Sequence, residues 1–246
     1  EGEASLRGLE ENGDARTRRG GNRVEGGEGV DDARGFGRQF RVEDLDLVVF
    51  VGDYIYTTEV PSYNRVRRHP HRFPDRHERH TLADYRIHHA SYKLDADLRA
   101  CHEAHPWLLT WDDHEVENDY AGERGRDGSG ADFLRQRSAA YQAFYENQPL
   151  RASVLLHGLQ GLARPDALRI YQRSDFGRLA RFHLLDDRQY RAVQACREAG
   201  SSGAGTVRAG RCAELTDPAR SLLGPAQEQW LAQGLAQDAA PQGPRW

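Results

Sequence analysis

Pro106-Trp107-Leu108-Leu109-Thr110-Trp111-Asp112-Asp113-His114-Glu115-Val116-Glu117-Asn118-Asp119-Tyr120 is a short apolar run that ends abruptly in carboxylates, a histidine and an asparagine. An apolar run of roughly four to eight residues, with Thr and aromatics and then polar punctuation, reads as a strand covered on both faces. In open α/β sheets ligands bind beyond the carboxyl ends of such strands. The polar cluster behind Trp111 is therefore where chemistry is expected, provided other strands deliver matching groups to the same edge.

Two other stretches do so. Leu45-Asp46-Leu47-Val48-Val49-Phe50-Val51 is a β-branched apolar run followed at once by Gly52-Asp53-Tyr54-Ile55-Tyr56. A strand pair is expected over 168–173 and 179–185, joined through the turn-forming Ser174-Asp175-Phe176-Gly177, and it runs out into Asp186-Asp187-Arg188-Gln189-Tyr190-Arg191. With the three apolar strands as parallel neighbours, Asp53, Asp112, Asp113, Asp186 and Asp187 would line one edge. Carboxylates crowded in this way repel one another unless a cation sits between them. Oxygen donors with a histidine and an asparagine suit calcium, magnesium, manganese or iron. Asp186 and Asp187 are read equally well as caps of the next helix. The run His114-Glu115-Val116-Glu117-Asn118 lacks the second histidine of a zinc peptidase.

The remaining chain frames these strands. At 246 residues and 38% hydrophobic content, one domain with long polar loops is expected. The 34 basic and 38 acidic residues, net charge −4, carry no nucleic-acid signal. Lys93 is the only lysine. The chain starts at Glu1 and has no Met, which points to a fragment or processed product. No run approaches the roughly 20 apolar residues of a transmembrane helix, and no signal-peptide core is present.

Residues 1–38, rich in Gly, Glu and Arg, are expected to be disordered. Residues 57–80, with His69, His71, His77 and His80, read as a solvated loop rather than a zinc site. Thr81-Leu82-Ala83-Asp84 has the form of a capping box, and the helix behind it would bury Leu82, Tyr85, His89, Tyr92 and the stretch 94–98. A second helix is expected over 132–146 with Phe133, Leu134, Ala140, Tyr141, Phe144 and Tyr145 as core periodicity, ended by Pro149. Gly224-Pro225 opens a last helix with Trp230, Leu231 and Leu235 inward. Cys196 and Cys212 bound a Gly- and Ser-rich loop that a disulfide would close in an exported protein, while Cys101 stays buried and free.

Five stretches carry a family resemblance: Gly-Asp-Tyr-Ile-Tyr at 52–56, Thr-Leu-Ala-Asp-Tyr-Arg at 81–86, Pro-Trp-Leu-Leu-Thr-Trp-Asp-Asp-His-Glu-Val-Glu-Asn at 106–118, Leu-Asp-Asp-Arg-Gln-Tyr-Arg at 185–191, and Leu-Leu-Gly-Pro-Ala-Gln-Glu-Gln-Trp-Leu at 222–231. In this order they resemble the PhoD-type alkaline phosphatases, members of the calcineurin-like metallophosphoesterases. The resemblance runs from about residue 41 to Trp246, giving a partial phosphatase domain over 39–246. It implies an α/β fold, a metallophosphoesterase-type β-sandwich flanked by helices. It also implies a centre using calcium and iron, hydrolysis of phosphate mono- and diesters, and a secreted or periplasmic location.

Carried over by residue, the resemblance makes Asp53 a bridging metal ligand and Tyr56 a phenolate ligand of ferric iron. Asp112 or Asp113 stands where related enzymes use a ligand asparagine. His114 contacts the phosphate or protonates the leaving group, and Asn118 completes calcium or substrate contacts. Arg188 is a candidate for a phosphate oxygen and equally for a surface ion pair. Two family features are missing: no Cys precedes Cys101, and the late Gly-Asp-x-His motif does not occur before Trp246. Those departures motivate a second expectation, a non-catalytic relative that keeps the fold as a binding module.

Overall fold

A computed structural model describes residues 45–56, 80–125, 128–161, 164, 166, 168–197 and 206–239. The segment 1–38, His69, His71 and His77 lie outside the described residues. Among those residues the fold is mixed α/β, with four α-helices and three two-stranded sheets.

The two strands anticipated around the polar clusters form β1 (Val48–Phe50) and β2 (Trp107–Leu109), paired in parallel with Val48 opposite Trp107 and Phe50 opposite Leu109. The ladder runs on past the strands, because Thr110 N donates to Phe50 O at 3.1 Å. Both chains therefore leave the sheet side by side and in the same direction. Coverage on both faces is incomplete: Val49, Phe50 and Trp107 are only partly buried and Val51 is exposed.

A parallel pair requires a long crossover, and its described part supplies α1 (Leu82–Tyr92) and α2 (Ala96–Ala104). The capping box at the start of α1 is present in full, with Asp84 N donating to Thr81 Oγ1 and Thr81 N donating to Asp84 Oδ2 at 2.8 Å. The single helix expected to run through residue 98 is instead broken after Tyr92. Asp95 caps α2 by accepting from the N–H groups of Asp97 and Leu98, and Leu94 at the break is exposed. A short carboxylate competing for backbone donors favours a fresh helix start over continuation.

After β2 the chain passes a small hairpin, β3 (Arg124–Gly125) with β4 (Gly128–Ser129), and enters α3 (Ala131–Asn147). The expected stripe on α3 is buried at Phe133, Ala140, Tyr141 and Phe144, with Leu134 and Tyr145 at its margin. Trp111 stacks on Tyr141 with ring centroids 4.1 Å apart and planes 4° from parallel. The core also takes in Ile55, Tyr85, Val116 and Tyr120. Burying such side chains stabilises by about 1.5–3 kcal/mol each, so the exits of β1 and β2 are fixed to the helical layer.

The third pair is β5 (Gln172–Phe176) with β6 (Ala180–Leu184), an antiparallel hairpin. Its register corrects the sequence reading. Ser174 to Phe176 belong to β5, the turn falls at Gly177 with φ 57°, and Leu168 forms only an isolated bridge with Leu155. The glycine able to adopt a left-handed conformation sets the reversal, not the polar residues before it. Nor is β6 a parallel neighbour of β2. Its exit instead meets the β2 exit through Thr110 Oγ1, which donates to Leu185 O at 3.0 Å.

The last helix, α4 (Pro225–Asp238), starts as expected with Pro225 after Gly224, but its inner face is more polar than anticipated. Gln227, Gly234 and Asp238 are buried, Trp230 and Leu231 are partly covered, and Leu235 points outward at 52% exposure. Asp238 takes a hydrogen bond from His183 Nε2 at 2.6 Å and from Arg181 Nη1 at 2.7 Å, which draws the polar side of the helix onto β6.

Cys196 and Cys212 form a disulfide, and Cys101 is free and buried. Opening the ring, with Cys196→Ser, is expected to lower stability by about 3 kcal/mol on the loop-entropy argument. Urea titration checks this, after peptide mapping without reductant has recovered the linked pair from the parent protein. A larger constraint sits at Gly52. Its φ is +113°, and an added Cβ would lie 2.5 Å from both Asp112 Cβ and Asp112 N. Gly52→Ala is expected to cost about 3 kcal/mol by the same titration, from backbone strain and backbone overlap together.

Candidate metal centre

The exits of β1 and β2 would splay apart without a tie, since each carries acidic residues. Glu115 supplies the tie. Its carboxylate is buried at 1% exposure and accepts the backbone N–H of Tyr54 on one exit and that of Asp112, at 2.9 Å, on the other. Burial pushes this carboxyl up to about 8, with the nearby Asp53 adding to the rise and the accepted N–H bonds working against it. Sequence reasoning does not single out Glu115 as a site residue. Its signal is its place among too many polar groups for one turn, but nothing in the spacing distinguishes an internal tie from an exposed acid.

Held by this tie, Asp53, Asp113 and His114 each bring one donor atom within 4.8 Å of the others, a group able to hold a metal ion. Asp53 adopts φ 58°, a left-handed conformation uncommon outside glycine, which aims its carboxylate at the second exit. Its Oδ1 is shut away from solvent without a hydrogen-bond partner, while Oδ2 accepts from the Tyr56 hydroxyl at 3.2 Å. Burial first raises the Asp53 carboxyl to about 6, His114 opposes the rise, and Asp113 and Asp112 add to it. An orphaned buried carboxylate oxygen beside a second carboxylate and an imidazole fits a cation better than it fits the bare protein.

The other anticipated residues fall around this trio in distinct places. The Tyr56 ring lies against that of His114, centroids 4.4 Å apart and planes tilted by 38°, so its phenol lies at the centre. Asp112 is ion-paired with Arg188 Nε, and Arg188 Nη1 lies 3.8 Å from Asp113 Oδ2. Arg188 is thus mostly enclosed beside the trio rather than a surface partner. Asn118 does not join the trio, since its amide donates to Asp119 Oδ2 at 2.7 Å. The Asp119 N–H in turn donates to Asp113 Oδ2 at 2.6 Å, which positions that carboxylate.

Asp186 is also away from the trio. It accepts from the N–H groups of Arg188 and Gln189, and its own backbone pairs with the Gln227 amide at 2.8 and 2.7 Å. It is fully buried as the cap of the turn that presents Arg188, and burial lifts its carboxyl to about 6 against those N–H bonds. Asp186 thus caps a turn and not the next helix, the expected alternative to a site role: no helix follows β6 directly among the described residues. Asp187 is exposed.

Comparison with known proteins identifies relatives of the chain. A family model described as PhoD-like phosphatase matches residues 33–246. Alkaline phosphatase D of Bacillus subtilis strain 168 is 42% identical over 203 residues, spanning 80% of this chain and 31% of that protein. A solved structure, "Structure of PhoD", is similar with a TM-score of 0.67 and 39% identity, over 82% of this chain and 36% of the other. The chain thus spans about a third of the length of these relatives.

The raised carboxyls at Asp53 and Glu115 have a consequence for stability. A group whose folded value exceeds its unfolded one binds more protons when folded, so stability falls as pH rises between the two values and levels off above the folded one. In metal-free protein, stability is expected to decline from about pH 4.5 to about 8 through Glu115 and from about 3.8 to about 6 through Asp53. Glu115→Gln, which turns one acceptor into a donor facing a backbone N–H, is expected to flatten the upper part of that profile. It should also cost about 2 kcal/mol. Chemical denaturation across pH checks both.

Proposed function

The chain belongs to the PhoD-like phosphatase family, and from that premise we propose that it performs metal-dependent hydrolysis of phosphate mono- or diesters. The observation that carries the reading is the convergence of Asp53, Asp113 and His114 donor atoms, with an orphaned Asp53 oxygen, beside the enclosed guanidinium of Arg188. The match to phosphatases over most of the chain, not the ligand group itself, is what weighs against the non-catalytic reading.

Asp53, Asp113 and His114 would hold the metal, with the Tyr56 phenol oxygen against Asp53 Oδ2 as a further donor. Carboxylate donors suit calcium and a phenolate suits ferric iron, and calcium with iron is the pair we assign. Bound metal supplies charge stabilisation at the phosphoryl group and an activated oxygen nucleophile. The protein's own contributions are positional. Arg188 presents a planar fork of donors for phosphate oxygens, while Asp112 and the Asp186 turn hold it in place. A second role for His114, in place of a ligand role, is contact with the phosphate or protonation of the leaving oxygen. Asn118 orients Asp119, and through it Asp113.

With Asp53 raised to about 6, protons compete with a cation for its carboxylate as the pH falls toward and below that value. We assign residues 39–246 to the partial phosphatase domain. The Cys196–Cys212 disulfide suits an oxidising, extracytoplasmic compartment, and no described helix is long and apolar enough to cross a membrane.

Metal-reconstituted protein is expected to release the aryl alcohol from an aryl phosphate or an aryl phosphodiester at alkaline pH; turnover of neither would refute the reading. Asp53→Asn should reduce kcat by at least roughly a hundredfold together with metal affinity, read by steady-state assay and metal titration.

A further inference from the structure

We propose that Arg191 recognises a second anionic group on the substrate, so that the preferred esters carry a further phosphate or carboxylate beside the one hydrolysed. The inference rests on the hydrolase reading above and adds to it the class of substrate.

The backbone around Arg191 is fixed from both sides. Gly122 N donates to Arg188 O at 2.8 Å, and Gln194 Nε2 donates to Asp119 O at 3.0 Å. Between these two ties, the Arg191 carbonyl lies so close to Gly122 that an added Cβ would stand 3.2 Å from it. Residues 188–194 therefore run along the 119–122 wall of the centre. Ala192 N adds a third tie from behind by donating to Ser221 O at 2.7 Å.

Along this segment the two arginines differ. Arg188 has carboxylate neighbours in Asp112, paired with its Nε, and Asp113, 3.8 Å from its Nη1. Arg191, partly buried, makes no side-chain hydrogen bond or ion pair among the described residues, and its Nε is closed off from solvent without an acceptor. Its main charged neighbours are Arg188, Asp187, Asp112 and Asp119, which stand at the rim of the trio rather than in it. Burial and then Arg188 hold its pKa below the usual value, and those carboxylates oppose the shift without reaching hydrogen-bond contact.

A partly buried guanidinium whose Nε is shut off from solvent without an acceptor is costly unless an anion meets it. Its fork matches phosphate or carboxylate in two-point contact. Because Arg188 already stands next to the trio, the anion left for Arg191 is one displaced from the scissile phosphate.

The test compares the metal-loaded parent protein, Arg191→Ala and Arg191→Lys on aryl phosphodiesters that differ only in a remote charged group. One series carries a carboxylate, one a phosphate and one neither. In Arg191→Ala, KM for the doubly anionic esters is expected to rise roughly tenfold with kcat unchanged, and to recover in part in Arg191→Lys. KM for the singly charged ester should stay put. An equal rise for all three esters, or no rise, overturns the proposal. Calorimetric titration with phosphonopropionate and with ethylphosphonate gives a readout without turnover. The preference for phosphonopropionate is expected to vanish in Arg191→Ala, and its persistence there also overturns the proposal. If the parent protein turns over no ester yet shows a calorimetric preference that depends on Arg191, the hydrolase reading fails and the second anion site stands.

Discussion

Glu115 accepts one backbone N–H from each of two chain segments that leave a parallel sheet together, and the geometry of the centre depends on that double acceptance. The strands themselves are only three residues long, too short to align two loops by ladder hydrogen bonds alone. Gly52 brings the exits within touching distance, Glu115 fixes their offset, and the left-handed Asp53 turns its carboxylate inward. Each device is strained or desolvated, and the aromatic layer of Trp111, Tyr120 and Tyr141 offsets the cost by burial.

Charge is distributed around this frame in graded fashion. Asp112 is neutralised by Arg188, Asp186 is consumed as a turn cap, and Asp119 receives the Asn118 amide. What stays uncompensated is concentrated at Asp53, where an oxygen has no donor. Among the described residues, a carboxylate oxygen left buried and bare while most other acids find partners marks a position reserved for something outside the chain.

Much of this is legible in the sequence, for identifiable reasons. The apolar runs before Asp53 and Asp112, the Thr81–Asp84 box and the Gly224-Pro225 start are local signals, and local physics decides them. The α1–α2 break escapes detection because Asp95 reads as an ordinary polar residue until its backbone donors are known. The β5–β6 register is displaced because, of the Ser174–Gly177 stretch that suggests a turn, only Gly177 lies in it while the first three residues pair in the ladder. Glu115 and Asp186 depend on which distant backbone groups they face, a tertiary fact. Apolarity alone places Leu235 inward, whereas Asp238 sets the rotation of the helix through His183 and Arg181.

The Cys196–Cys212 bond closes a ring whose mouth is anchored on both sides. Cys196 N and Arg220 meet at Glu214, and Arg220 also reaches the Val193 carbonyl. Since loop length enters the closure free energy only logarithmically, residues can be added to or removed from the stretch between the cysteines at small cost. The clamped mouth keeps such changes from displacing Gln194 and the Asp119 carbonyl it holds. The closure therefore holds Gln194 in place through its anchored mouth, whatever the length of the ring.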